Sequence, residues 1–324
     1  MNEEVLMVSI CCTTYNHRAY IRDCLEGFVN QKTNFKFEVL VHDDASTDGT
    51  QEIIKEYERK YPDIIKPIYQ TENQFSKGVL ISRIFQYPRI QGKYYAMCEG
   101  DDYWCDENKL QKQVDFLEKH PDYSACVHNV KMYNCTTNKV RLINPNDYDY
   151  DISLKDIVIN YGSCFHTSSV VAKKEFYLCP KEFKFSSIGD YPRAIYLAVN
   201  GKIHYFKDVM SVYRVETQGS WSFRNATEGK QRVQKQRDEL FNVLSNIDKY
   251  YNFLYHDIIV NRQVSIMANS SKYREIIKNK EYRNVYIRNN SFKKNVLLVS
   301  ACIAPKTVEK YFKRKNKIKW KKNH

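Results

Sequence analysis

A chain of 324 residues, 43% hydrophobic and 14% aromatic, can bury one large core or a domain plus an appendage, and it is too apolar to be disordered. Its net charge of +13 is concentrated at one end: between Lys306 and Lys322 nine Lys/Arg stand against Glu309 alone, a local +8. Glu3 and Glu4 precede the first apolar run, which argues against a signal peptide, and the later run Val296–Ala304 is too short to span a bilayer. The ten cysteines form no C-x-x-C pair and no zinc-like spacing, so a reducing, cytoplasmic compartment is expected.

The first half alternates strand and helix signals. Val5–Cys11 is a continuous apolar run of strand length, ending at Thr13-Thr14-Tyr15-Asn16. From Ala19 to Val29, Ile21, Leu25, Phe28 and Val29 fall on one helical face. Lys36–Asp43 reads as a second strand, followed by the turn residues Asp44 to Gly49 and a helix from Thr50 that Pro62 stops. Ile64–Tyr69 and Tyr94–Cys98 are the next strands, the latter ending in Glu99-Gly100-Asp101-Asp102. A helix over Lys109–Lys119 and a strand over Tyr123–Met132 complete the pattern. Strand alternating with helix predicts an α/β fold with a mostly parallel central sheet flanked by helices. In such sheets ligands bind beyond the carboxyl ends of the strands, where the three polar clusters fall.

The second half is more mixed. It predicts a helix near Ser153–Asn160, a strand through Ser168–Ala172, a helix over Asp190–Asn200 and two strands, Ile203–Phe206 and Val209–Val215. Beyond Thr227 the pattern is helical and increasingly basic, with helices over Glu228–Ile247 and Tyr250–Met267. A boundary near residue 226 follows.

The clusters carry chemistry. Adjacent carboxylates such as Asp101-Asp102 at a strand end bind a hard divalent cation through oxygen, leaving positions for phosphate oxygens, and the ion then stabilises a departing diphosphate. The alternative is a solvated turn. Asp43-Asp44 reads either as an Asx-type turn or as a carboxylate accepting a nucleobase ring N–H; the turn reading suits Asp48 and the ligand reading Asp44. Tyr15 reads as a stacking partner for a base or as rim packing. Asp190, with Pro192 behind it, reads as a helix N-cap, the reading spacing alone favours, or as a general base removing an acceptor hydroxyl proton.

These clusters, in this order, resemble the family-2 glycosyltransferases of the GT-A (Rossmann-like) fold. The match runs through Val8-Ser9-Ile10, Thr14-Tyr15-Asn16, Asp43 to Thr50, Glu99-Gly100-Asp101-Asp102-Tyr103-Trp104 and Gly189-Asp190, over roughly the first two thirds of the chain. The resemblance implies an inverting, single-displacement transfer from a nucleotide sugar, usually a UDP-sugar, with Mn²⁺ or Mg²⁺. It implies that Asp44 binds the base in a pocket lined by Thr13 and Tyr15, that Asp102 ligates the metal with Asp101 nearer the ribose or donor sugar, and that Asp190 is the base. His166 falls in the acceptor-side segment, where a structural role competes. Relatives often carry Tyr-Arg-x-His after the last strand; here Tyr213-Arg214-Val215-Glu216 puts Glu216 where a metal-reaching His would stand, while Arg214 would meet phosphate or pair with an acid. No Gln-x-x-Arg-Trp element is present, which favours transfer of one sugar over processive synthesis.

The expected layout is a catalytic domain over residues 1–226, with the nucleotide sugar held by 1–105 and the acceptor by 106–226, and a basic helical extension over 227–324. The acceptor would be a lipid-linked saccharide in capsule, exopolysaccharide or O-antigen synthesis. The segment 296–322 would give peripheral contact with an anionic membrane at the inner face of the cell, against the alternative of a solvated terminus. Two other classes compete. A nucleic-acid binder fits the pI of 9.1 but not the location of the charge in a tail, and no nucleic-acid motif appears. A nucleotidyltransferase would show a glycine-rich phosphate loop, and the Thr13–Arg18 turn holds no Gly.

Overall fold

The computed structural model describes residues 5–160, 164–183, 189–217, 229–291, 294–296, 298 and 300. The chain forms two compact units, Met1–Pro180 with Ile188–Gly229, and Lys181–Ser187 with Lys230–His324. Most of the tail 296–322 lies outside the described residues. Among the described residues no helix is long and apolar enough to cross a membrane.

The first unit is a sheet flanked by helices. Its elements are β1 (Leu6–Thr14), α1 (Ile21–Val29), β2 (Lys36–Asp43), α2 (Thr50–Lys60), β3 (Ile65–Tyr69), β4 (Tyr94–Met97), β5 (Tyr103–Trp104) and α3 (Lys109–Lys119). They continue with β6 (Tyr123–Asn134), β7 (Val140–Leu142), β8 (Tyr150–Ile152), α4 (Leu154–Asn160), β9 (Val171–Lys173), α5 (Asp190–Asn200) and β10 (Lys202–Val215). The strand order is β3-β2-β1-β4-β9-β6-β10-β5, with β7 on β6 and β8 on β10. The four strands β3-β2-β1-β4 are parallel, as are β6 and β10. Between them β9 runs antiparallel to both β4 and β6, so the sheet is mixed beyond β4.

Hydrophobic pattern explains the core. The middle of β1, Val8 to Cys12, is buried without interruption because both sheet faces are covered. Helix α1 buries Ile21, Cys24, Leu25 and Phe28, spaced three and four apart, against this sheet. A Cβ on Gly27 would sit 2.7 Å from the Trp104 carbonyl oxygen, so only glycine lets α1 approach β5 this closely.

Three local expectations change. The two predicted strands after residue 202 are one strand, β10, whose register shifts at Phe206/Val209 and Val209/Ser211 absorb the polar Lys207-Asp208 as bulges. The strand expected over 168–172 is displaced to Val171–Lys173 by a 3₁₀ turn at Thr167–Ser169, which His166 caps. In the second unit, α6 (Gly229–Tyr250) and α7 (His256–Asn269) are separated by a turn, followed by α8 (Tyr273–Lys278) and α9 (Lys280–Asn289). The helix expected from Tyr250 starts six residues later, because Asn252 and Phe253 take left-handed backbone angles, φ 50° and 63°. Val260, Val264, Met267, Tyr273, Ile276, Val285 and Tyr286 form this unit's own core.

Candidate active site

Parallel strands put the carboxyl ends of β1, β2 and β4 on one edge, and two backbone bonds lock them together. The Asp44 amide donates to the Thr14 carbonyl at 2.9 Å, and the Gly100 amide to the Thr13 carbonyl at 3.0 Å. The loop after β1 is stapled to the loop after β2: the Asn16 amide donates to Ser46 Oγ, the Thr47 amide to Asn16 Oδ1 and the His17 amide to Thr50 Oγ1, each at 2.9 Å. Asp48 fixes the start of α2, its Oδ1 accepting from the Thr50 amide and hydroxyl at 3.0 and 2.6 Å. Asp43 also makes a turn, with Oδ1 accepting from the Ser46 amide at 3.0 Å and Gln51 Nε2 at 2.7 Å.

Asp44 is buried, and each of its oxygens accepts a backbone amide from the segment after β3: Oδ1 from Gln74 at 2.8 Å and Oδ2 from Phe75 at 3.0 Å. His42 lies beneath it, with Nε2 3.6 Å from Asp44 Oδ1; burial holds this imidazole below its ordinary pKa. Thr13 is half-buried at the same edge, and Tyr15 is exposed at the rim.

Asp101 and Asp102 are both buried, and β10 and the turn after it hold them from far along the sequence. The Arg214 amide donates to Asp102 Oδ1 at 2.9 Å, and the Thr217 hydroxyl to Asp101 Oδ2 at 3.0 Å. The Arg214 guanidinium donates through Nη1 to the Asp101 carbonyl at 2.9 Å and pairs with Asp23 of α1. It lies 4.5 Å from the Tyr103 ring centroid and 5.3 Å from that of Tyr20. Of the two readings for Arg214, pairing with an acid is the one observed. Glu216, at φ 61°, forms the left-handed turn that carries the chain from Arg214 to Thr217.

Asp102 Oδ2 is buried with no hydrogen-bond partner among the described residues, and His166 Nδ1 lies 3.8 Å from it. Burial, then the charges of Asp101 and Glu99, pushes the Asp102 carboxyl well above the usual range. Burial pushes His166 down to about 3, so the ring is neutral and the contact is no ion pair. The ring stacks on Tyr213 at 3.9 Å, and its Nδ1 accepts from the Ser168 amide at 3.3 Å. Ser168 is itself fixed by Ser211 Oγ at 2.8 Å and by Trp104 Nε1, which donates to its carbonyl at 2.9 Å.

Glu99 keeps contact with solvent, yet the protein around its carboxyl strips away water, and with the charges of Asp101 and Asp190 this pushes it up to about 8. Asp190 is thus close enough to Glu99 for its charge to act on it. It is the first residue of α5 rather than its cap, which is Gly189, and its Oδ1 accepts from the Tyr191 amide at 3.0 Å. A carboxylate in the first turn is favoured by the helix dipole.

Among the described residues no three His, Cys, Asp or Glu side chains converge as a ready metal cage. The donor set still fits a hard divalent ion: a buried, unpaired carboxylate oxygen beside a second carboxylate, with remaining positions left to phosphate and water. The sequence showed the acidic string but missed Asp23, Thr217 and His17. His17 Nδ1 is buried without a partner among the described residues, against Gly100, whose added Cβ would meet it at 3.0 Å.

A mixed sheet flanked by helices, with an acidic pair beside the edge where its parallel strands end, has the architecture of a GT-A fold. Residues 9–176, just over half the chain, match the model of glycosyl transferase family 2, and the chain belongs to that family. A Mycobacterium tuberculosis protein of unstated function is 35% identical over 223 residues, which is 66% of this chain and 60% of that protein. The chain thus spans about 60% of the length of these curated relatives. Among solved structures, S. aureus TarS 1–349 in complex with UDP-GlcNAc superposes with a TM-score of 0.59 at 15% identity, covering 95% of this chain and 92% of that one. The mannosyltransferase PcManGT of Pyrobaculum calidifontis, in complex with GDP-Man and Mn²⁺, gives 0.51 at 15% identity, covering 94% and 82%.

Proposed function

We propose that this chain transfers one sugar, a hexosyl or N-acetylhexosaminyl group, from a nucleotide sugar to a hydroxyl of a saccharide acceptor, with inversion. The observation that carries the reading is the unpaired Asp102 oxygen, buried where the charges of Asp101 and Glu99 also act on it, at the edge where β1, β2 and β4 end. Carboxylates this crowded are stabilised by a cation, and a divalent metal held there would supply Lewis-acid neutralisation of the departing diphosphate. Asp102, with Asp101, would hold it.

The protein's own residues have the following parts. Asp44 keeps the segment at Gln74-Phe75 in place, and because a carboxylate offers about four lone-pair positions it can accept a base N–H as well. Thr13 and Tyr15 line that pocket. Arg214 and Thr217 hold the two aspartates in register, and Glu216 supplies the turn between them. Asp190 accepts the proton of the acceptor hydroxyl; the oxygen attacks the anomeric carbon as the bond to the diphosphate oxygen breaks on the opposite face. A UDP-sugar is the donor we favour, supported by the UDP-GlcNAc complex of TarS, and Mn²⁺ or Mg²⁺ by the Mn²⁺ complex of PcManGT. Donor binding belongs to residues 1–105 and acceptor binding to 106–226. The acceptor is a lipid-linked saccharide of surface-polysaccharide assembly, met at the cytoplasmic face of the membrane.

Calorimetric titration of UDP, GDP, ADP and dTDP, with and without Mn²⁺, tests this. Selective, metal-dependent binding of UDP that Asp102→Ala abolishes is expected. A folded protein that binds none of the four overturns the proposal.

A further inference from the structure

The turn between α6 and α7 presents large apolar side chains to water. Tyr250, Phe253 and Leu254 are 46, 56 and 72% exposed. A left-handed backbone is costly for a residue as bulky as Phe253, and such strain persists only where the surroundings impose it. Here they do: the Phe253 amide donates to the Asp248 carbonyl at 2.8 Å and the Leu254 amide to the Tyr251 carbonyl at 3.1 Å. Behind the turn, His256 bridges the buried Asp248 (Nδ1 to Oδ2, 2.6 Å) and Glu281 at the start of α9 (Nε2 to Oε1, 2.8 Å). The Phe253 ring meets the edge of His256 at 5.6 Å. The fold therefore holds Phe253 outward, with Leu254 beside it, at a backbone position where glycine or asparagine would cost less.

Charge says what covers them. Residues 230–324 carry 23 Lys/Arg against 7 Asp/Glu, a net of +16 that leaves residues 1–229 at −3; nine of the cations lie in 306–322, outside the described residues, so the charges at the turn itself decide. Lys249 is exposed beside Tyr250, and the Glu281 contact brings exposed Lys278 and Lys280 to the same corner. The acids there are Asp257, which is exposed, and Asp248 and Glu281, which are both engaged by His256. Aromatic and leucine side chains amid lysines suit the headgroup region of an anionic bilayer. We propose that the α6–α7 turn is a membrane-docking wedge that inserts Tyr250, Phe253 and Leu254 into an anionic lipid surface.

The inference extends the lipid-linked acceptor reading but rests on separate observations. The full chain is sedimented with phosphatidylglycerol-rich vesicles and with phosphatidylcholine vesicles. Binding to the former, weakened about tenfold or more in a Phe253→Ser/Leu254→Ser double variant with unchanged circular dichroism, is expected. Because that variant can misfold, Leu254→Trp is read by fluorescence, whose emission should shift to the blue on adding the anionic vesicles. A folded double variant that binds like the parent, an emission that does not move, or a dimer that the double variant dissolves would each overturn the wedge. UDP titration of the same preparation reports on the active site, so intact nucleotide binding without vesicle binding refutes this surface alone.

Discussion

Replacing Arg214 by Gln separates a clamp from a phosphate ligand. In the structure the guanidinium is spent within the protein, on the Asp101 carbonyl at 2.9 Å, on Asp23 and on the Tyr103 face at 4.5 Å. Losing a charged donor to a buried carbonyl costs about 1.5–3 kcal/mol. The ring contact contributes about 0.5–1 kcal/mol. The Asp23 pair is discounted to about 0–1 kcal/mol, since Asp23 is 57% exposed and water screens it. A total near 3 kcal/mol follows, and at about 2–4 °C per kcal/mol for a unit of 150–250 residues the melting temperature should drop by about 6–12 °C. Thermal unfolding by circular dichroism measures this, alongside UDP titration with Mn²⁺. On the proposed function Arg214 acts on substrate only through Asp101 and Asp102, which makes it a positioning residue. Asp23→Asn alone should cost under about 1 kcal/mol. A variant that melts within about 2 °C of the parent while losing nucleotide affinity would refute the clamp and make Arg214 a direct phosphate ligand.

Gly100→Ala places a Cβ 2.7 Å from Thr14 Cβ and Oγ1, forcing the loop that bears Asp101 and Asp102 off its mark; a loss of about 100-fold in transfer rate with a modest fall in melting temperature is expected, and unchanged kinetics would count against the rim as the site. His166→Phe keeps the stack on Tyr213 but removes the nitrogen 3.8 Å from Asp102, so Mn²⁺ affinity, read by electron paramagnetic resonance, should fall about tenfold; equal affinity would show the ring to be packing only. His256 has its pKa raised above 6.5, first by its bond to Asp248 and then by Glu281, so its stabilising contribution is full below 6.5 and disappears as pH rises through the raised value. The chain should therefore melt higher at pH 6 than at pH 8 by a margin that shrinks in His256→Gln, and an equal margin in both proteins would refute the assignment.

The rim was legible because its parts are local. Thr13–Asn16, Asp43–Asp44 and Glu99–Asp102 each sit where an apolar strand run stops, and a parallel sheet brings such ends to one edge without further instruction. The supports were not legible, because they are long-range: Arg214 to Asp102 spans 112 residues, Thr217 to Asp101 spans 116 and Arg214 to Asp23 spans 191. No spacing rule reports such contacts. The α6–α7 turn failed for another reason: the apolar period of Tyr250–Met267 is helical, but backbone bonds from Phe253 and Leu254 to Asp248 and Tyr251 override it.

The same distinction decides between two neighbours that look alike in sequence. From Asp101-Asp102 alone, either carboxylate is a candidate to face a metal. The antiparallel pairing of β5 with β10, Tyr103 opposite Val212 and Trp104 opposite Ser211, settles their environments. It sets the amide of Arg214 against Asp102 Oδ1, so that one oxygen is held and the carboxylate plane fixed, while Oδ2 stays buried and unpaired. Asp101 instead accepts, at Oδ2, the hydroxyl of Thr217, beyond the left-handed turn at Glu216. On the proposed function, the Asp102 oxygen that would face a metal is left open by strand register, through residues more than a hundred positions away, and Thr217→Val tests the partition: it should free Asp101 and weaken nucleotide affinity while leaving the Asp102–Arg214 bond, and with it most Mn²⁺ affinity, in place.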